Sequence, residues 1–207
     1  MIMKILTFIL LIFFNSFAFA DPLKNAIESE IRSDKNVARD VYRHPYETLT
    51  FFGIRPDMTV IELSPGGGWY TEILAHYLKD NGELIAVHFD PSMGDFAKRV
   101  RDNFEKKLAS SSVYDQVKLA SLNSKYSELE SVDVVVTFRN LHNWIGPNWD
   151  FIIKNSYASL KKGGLLGVVE HRAKEGTSIE NMKKTGYVTE KYAIESCLLY
   201  TSPSPRD

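Results

Sequence analysis

Five short apolar runs recur along the chain, spaced so that a helix fits between most neighbouring pairs. They are Thr59–Leu63 (TVIEL), Glu83–Val87 (ELIAV), Gln116–Ala120 (QVKLA), Val132–Phe138 (VDVVVTF) and Leu165–Glu170 (LLGVVE). Their length and β-branching predict strands, and the near-continuous apolarity of the first and fourth predicts burial on both faces. Between them the apolar positions switch to helical spacing. Trp69–Lys79 sets Trp69, Tyr70, Ile73, Leu74, Tyr77 and Leu78 along one side of a helix. Gly94–Ala109 repeats Phe96, Val100, Phe104 and Leu108 every fourth residue, and Trp149–Leu160 is stopped by Lys161-Lys162-Gly163-Gly164. Gly186–Ser196 starts a further helix after a polar loop, Lys174–Met182, that has the composition of a lid. Strands alternating with helices predict one α/β domain with a doubly wound parallel sheet.

The segment before the first strand is helical in pieces. Leu23, Ala26, Ile27 and Ile31 share one face, and Val37, Val41 and Tyr42 mark a second piece. Pro45 opens a third at its first turn, with Tyr46, Leu49 and Phe52 as its buried side and Gly53 at its end. The extreme ends read differently. Met1–Ala20 has one cation, Lys4, an apolar run and an A-x-A pattern at Ala18 and Ala20, which predicts a signal peptide and an exported, periplasmic protein. An uncleaved anchor is the alternative; no stable membrane span is expected after cleavage. Cys197–Asp207 (CLLYTSPSPRD) back-translates into the transposon-end adapter of sequencing libraries, the alternative being a Ser/Pro-rich natural tail. On the adapter reading the domain is residues 21–196, truncated at its C-terminus, and has no cysteine for disulfides, thiol catalysis or metal ligation.

Chemistry concentrates where the first strand meets the first long helix. Ser64-Pro65-Gly66-Gly67-Gly68 breaks the strand, and strand, glycine turn and helix in that order form the first half of a nucleotide-binding βαβ unit. A dinucleotide loop wants G-x-G-x-x-G; here the register is Gly66-x-Gly68-x-x-Thr71, without the third glycine. Glu62 sits inside the end of the strand, and a carboxylate there suits an ammonium group better than a pyrophosphate. A turn that uses its glycines only for geometry is the plainer reading. With the acidic strand end and glycine loop in view, the chain resembles the class I S-adenosylmethionine-dependent methyltransferases. RDVYRHPYETLTFFGI upstream narrows the resemblance to exported methyltransferases of unassigned substrate, over about Asp34–Ser196.

That resemblance implies a Rossmann-like sheet of strand order 3-2-1-4-5 with its C-terminal strand hairpin missing. It also implies S-adenosylmethionine as cofactor and a small-molecule methyl acceptor. Glu62 would meet the methionine ammonium, the backbone of Ser64, Gly66, Gly67 and Gly68 would pass beneath the ligand, and Asn140 would face it from the end of the fourth strand. The acidic residue that grips the ribose in the family normally follows the second strand. Here His88 holds that slot and Asp90 comes two later, so Asp90 is the candidate; Asp90-Pro91 equally suits a turn that caps the next helix. Ser121–Asn123 would pass near the adenine. Leu141-His142-Asn143-Trp144 resembles the L-H-D-W of small-molecule O-methyltransferases, which makes His142 the candidate general base for a hydroxyl acceptor. A histidine packed beneath the following helix is the other reading, and Trp144 and Trp149 either wall an acceptor pocket or belong to the core.

Composition narrows the rest. A net charge of -1 gives no nucleic-acid footprint. The histidines lack ligand spacing, so no metal is expected, and no G-x-S-x-G points to a serine hydrolase. Two other classes stay open at this point. One is a non-catalytic binding protein on the same fold, favoured by export away from the cytosolic cofactor supply; the other is a nicotinamide oxidoreductase, disfavoured by the missing glycine. The oligomeric state is unspecified.

Overall fold

The computed structural model describes residues 21–198; the expected signal peptide at residues 1–20 and most of the expected adapter segment, from residue 199, lie outside them. Four short helices come first: α1 (Pro22–Ile27), α2 (Asp34–Val37), α3 (Asp40–Arg43) and α4 (Pro45–Phe51). Then follow β1 (Thr59–Leu63), α5 (Trp69–Leu78), β2 (Glu83–His88), α6 (Asp95–Leu108), β3 (Lys118–Ser121) and β4 (Val132–Phe138). After these come α7 (Leu141–Trp144), α8 (Pro147–Ser159), β5 (Leu160–Val169), β6 (His171–Arg172), α9 (Ile179–Thr185), β7 (Tyr187–Val188) and α10 (Glu190–Leu198).

The main sheet has the order β3-β2-β1-β4-β5 with every pair parallel, as the alternation of runs and the family resemblance predicted. β1 is central, and its side chains alternate between two apolar layers. Val60 joins Leu49, Ile73, Leu74 and Leu78 on the side of α1, α4 and α5. Ile61 and Leu63 join Leu141, Trp149 and Ile152 on the side of α7 and α8. Period-2 alternation then puts Glu62 on the Val60 side, at the carboxyl edge, under the first turn of α5. Parallel strands all present their carboxyl ends to one edge, and that edge carries the site.

Several expectations needed correction. Leu165–Glu170 is only the later part of β5, which begins at Leu160; the register jumps from Leu160 opposite Val132 to Leu165 opposite Val134, absorbing the Lys-Lys-Gly-Gly turn as a bulge. No helix starts at Gly186. That residue, at φ +75°, ends α9, Tyr187 and Val188 pair with β6, and α10 begins at Glu190. The polar loop is correspondingly shorter than expected, because Ile179–Thr185 is helical and Met182 is buried. Phe96 is 60% exposed, since α6 packs through Ala97 and Phe104 instead. Val37, Val41 and Tyr42 are exposed too, because α2 and α3 are one-turn helices held instead by the Asn36 carbonyl and by charge at Asp40.

Asp40 belongs to a buried charge network. Arg32 donates from Nη1 and Nη2 to the two oxygens of Asp40 at 2.6 and 2.7 Å, and again from Nη1 to the Ile27 carbonyl at 2.7 Å. Its Nε lies 3.8 Å from the buried Glu72 of α5, whose other oxygen accepts from Lys107 of α6 at 2.5 Å. Trp69 lies under two guanidiniums, those of Arg32 (5.1 Å) and Arg43 (4.6 Å), and its Nε1 donates to the Asn36 carbonyl at 2.8 Å. The N-terminal helices are thereby clamped over the carboxyl edge of the sheet.

Candidate active site

A cavity of about 630 Å³ opens at that edge, between the loop after β1, the ends of β4 and α5, and the clamped α2–α3 segment. Glu62, Ser64, Gly66, Gly67, Asn140 and His142 all line it. The structure therefore brings together most of the residues singled out from sequence.

Glu62 is 2% exposed and its Oε2 accepts from the Thr71 hydroxyl at 2.6 Å. Burial raises its pKa from 4.5 to about 7, outweighing the Thr71 hydrogen bond and the Arg43 charge, which both lower it. A carboxyl poised near neutrality with an open cavity before it can take a cationic partner. The loop that follows is shaped for close approach. Ser64 stands at φ +50° and Gly66 at +59°, and a Cβ added at Gly66 or Gly67 would meet no protein atom within 4 Å. The space a side chain would fill is left to a ligand. Ser64 Oγ is buried without a hydrogen-bond partner among the described residues, as is Arg43 Nε, and both residues line the cavity. Two orphaned buried polar atoms, one titratable carboxyl and a bare backbone turn fit a polar, nucleoside-sized amino acid conjugate.

Gly68 serves differently. At φ +78° it caps α5, and a Cβ there would collide with Lys107 and Phe104, so this glycine seats the loop against α6 and does not line the cavity. His88, in the slot that is acidic in the family, is fully buried. Its Nδ1 accepts from the Phe89 amide at 2.8 Å, which leaves Nε2–H to donate to the Gly66 carbonyl at 3.2 Å. Burial holds its pKa below the ordinary value, so the neutral ring props the glycine loop from behind. Asp90 accepts from the Ser92 amide at 2.8 Å, capping the turn Pro91–Met93, and does not line the cavity. Asn140 Nδ2 lies 3.1 to 3.4 Å from Thr137 Oγ1 and the carbonyls of Leu63, Ser64 and Phe138, stitching the ends of β1 and β4 together.

His142, in α7, is held by a residue the sequence reading missed. Glu170 Oε2 lies 2.8 Å from His142 Nδ1 and accepts from the His142 amide at 3.3 Å, while Oε1 accepts from the His171 amide. The carboxylate fixes the Nδ1–H tautomer and leaves Nε2 as the acceptor. The only sequence signal for Glu170 was its place at the end of a strand, at the ligand edge. Trp144 and Trp149 stack on each other at 6.1 Å within the α8-side layer, and neither lines this cavity.

A second cavity of about 390 Å³ adjoins the first, sharing Arg39, Arg43, Tyr70, Phe138 and Arg139 with it and adding Glu170 to its wall. No group of histidines, cysteines or carboxylates among the described residues is placed to hold a metal, and no described helix is long and apolar enough to cross a membrane.

Residues 61–168, β1 to the end of β5, match the methyltransferase domain family. Among solved structures, an S-adenosylmethionine-dependent methyltransferase from Aquifex aeolicus aligns with TM-score 0.60 at 16% identity, over 86% of each chain. An O-methyltransferase family 2 protein from Planctomyces limnophilus, solved with apigenin, aligns at 0.54 and 12% identity over 87% of this chain and 58% of its own. An arsenic(III) S-adenosylmethionine methyltransferase from Chlamydomonas reinhardtii aligns at 0.53 and 13% identity, over 72% of this chain and 52% of its own. The chain thus spans a little over half the length of the last two. No curated protein matches it. A match of this extent, beginning within β1 itself, together with the parallel sheet order, places the chain in the methyltransferase domain family of the class I S-adenosylmethionine-dependent superfamily.

Proposed function

We propose that the protein transfers a methyl group from S-adenosylmethionine to a hydroxyl of a small molecule, with His142 as general base. The observation that carries this reading is the placement of Glu62 and the bare Gly66–Gly67 turn on one 630 Å³ cavity with the Glu170-held imidazole. Bound S-adenosylmethionine supplies an electrophilic methyl on a sulfonium that departs without acid assistance. The protein's own tasks are then positioning and proton removal. Glu62 would accept the ammonium, the Ser64 hydroxyl and the loop backbone would bear on the methionine and sugar, and Asn140 would hold the two strand ends that frame them. Asp90, freed from its turn or acting beside it, would be the ribose partner. His142 Nε2 would take the hydroxyl proton as the oxygen attacks, and Glu170 would stabilise the imidazolium that results, while the backbone of Gly186 borders that edge of the ring without a side chain. The nicotinamide alternative lacks the glycine register it needs, and family membership removes its support.

Calorimetric titration tests the cofactor half: saturable binding of S-adenosylmethionine with none of NAD is expected, and the reverse would refute it. Methyl transfer assays against phenolic, alcohol and amine acceptors test the other half. His142→Ala should abolish transfer to hydroxyls while leaving cofactor affinity within about threefold, since a general base contributes about 10²–10⁴ to rate and little to binding. Export remains part of the proposal, and fractionation of cells expressing the protein would check it.

A further inference from the structure

The two adjoining cavities carry more positive charge than the cofactor can use. Lys35, Arg39, Arg43, Lys107 and Arg139 line the larger one, against the single carboxylate of Glu62. Lys107 is committed to Glu72. Arg39, Arg43 and Arg139 have no ion pair among the described residues, and all three also line the 390 Å³ cavity. The one carboxylate on that cavity, Glu170, is taken up by the His142 ring and amide and the His171 amide. Nor is the cluster relaxed. Arg43 Nε is buried without a partner, burial above all and then the Arg39 and Arg139 charges depress the Arg43 pKa, and Arg139 stands at φ +63°. Three guanidiniums converging with only the Glu62 carboxyl near Arg43 as counter-charge repel one another, and a ligand bearing one sulfonium, one ammonium and one carboxylate is itself net cationic. Even if its carboxylate engages one arginine, two remain unmatched beside the Nδ1-anchored base.

Resting on the methyl-transfer reading above, we propose that the 390 Å³ cavity is the acceptor site and that the acceptor carries an oxyanion, a carboxylate or a phosphate, gripped by Arg39, Arg43 and Arg139. Guanidinium forks match such groups two oxygens at a time. Tyr70 and Phe138, stacked at 3.5 Å between centroids, give the same cavity a flat apolar wall, and its volume suits one ring with its anionic group. The anion would then orient the acceptor from one side while His142 addresses its hydroxyl from the other.

The test uses the 207-residue protein saturated with S-adenosylhomocysteine, titrated with benzoate, with inorganic phosphate and with neutral benzamide. At least one anion should bind at least about tenfold tighter than benzamide, the scale of one charge-assisted hydrogen bond, and whichever binds better names the oxyanion. The double variant Arg39→Gln/Arg139→Gln, both at exposed positions, should lose about tenfold or more in that affinity with its melting temperature unchanged. Equal binding of benzamide, absence of binding by both anions, or undiminished anion affinity in the folded double variant would each overturn the proposal. Failure to bind S-adenosylhomocysteine in the first place would instead overturn the cofactor reading, so the two failures are distinguishable.

Discussion

At pH 5.5 nearly every molecule of the free protein carries Glu62 as the neutral acid, because burial lifts its pKa to about 7. A ligand ammonium needs the carboxylate. If only the ionised form binds, the apparent dissociation constant is the intrinsic one divided by the ionised fraction, which is about 0.03 at pH 5.5 and about 0.5 at pH 7. Affinity for S-adenosylhomocysteine, which keeps the ammonium and cannot react, should therefore rise by up to about 16-fold over that interval. Binding at pH 5.5 should release close to one proton, read from calorimetry in two buffers of different ionisation enthalpy. The sign for stability is opposite. A carboxyl raised from 4.5 to about 7 favours the free fold below pH 4.5, and that contribution fades as pH climbs through 7, by about 3 kcal/mol in all. Glu62→Gln, which keeps a partner for Thr71, should accordingly flatten the pH profile of affinity, weaken binding at pH 7, and raise the melting temperature of the free protein at pH 8. A wild-type affinity that is flat from pH 5.5 to 7, or a variant that keeps the slope, would refute the reasoning.

Glu170→Gln should lower transfer to a hydroxyl by about tenfold or more while leaving S-adenosylhomocysteine affinity unchanged, and nitrogen NMR should show His142 losing its Nδ1–H tautomer preference. At Gly67, which is not at positive φ, an added Cβ meets no protein atom within 4 Å, so Gly67→Ala should keep a melting temperature near wild type while cofactor affinity falls about tenfold by titration. His88 has its folded pKa below the unfolded 6.5, so stability is intact above pH 6.5 and falls as pH drops below it; His88→Leu should remove that part of the acid loss in a denaturant series. Glu72→Gln strands Lys107 beside a buried arginine and should cost about 3 kcal/mol in urea unfolding.

The sheet was legible because strands buried on both faces must be written as unbroken apolar runs, and a lone acid within one of them, Glu62, cannot hide. The glycine loop was legible for a related reason: bare backbone at a strand end has few purposes. What escaped notice is held together across long sequence separations. Glu170 meets His142 over 28 residues, and Arg32 meets Glu72 over 40, pairings that no local pattern encodes. The arginine cluster reads along the chain as ordinary surface charge, since Arg39 and Arg43 precede β1 and Arg139 follows β4. His88 was noticed only as a departure from an acidic slot; its work as a prop for Gly66 depends on which ring nitrogen the neighbouring amide engages. Phe96 was misplaced because a four-residue repeat drifts around a helix of 3.6 residues per turn.

Trp69 packs against two guanidiniums, with its indole N–H tied to the segment that roofs the cavity. The two other indoles stack on each other in the opposite layer. One fluorophore out of three thus sits at the joint where the roof meets the site, and its emission supplies an optical gauge of whether that roof is seated, with no dye or label attached.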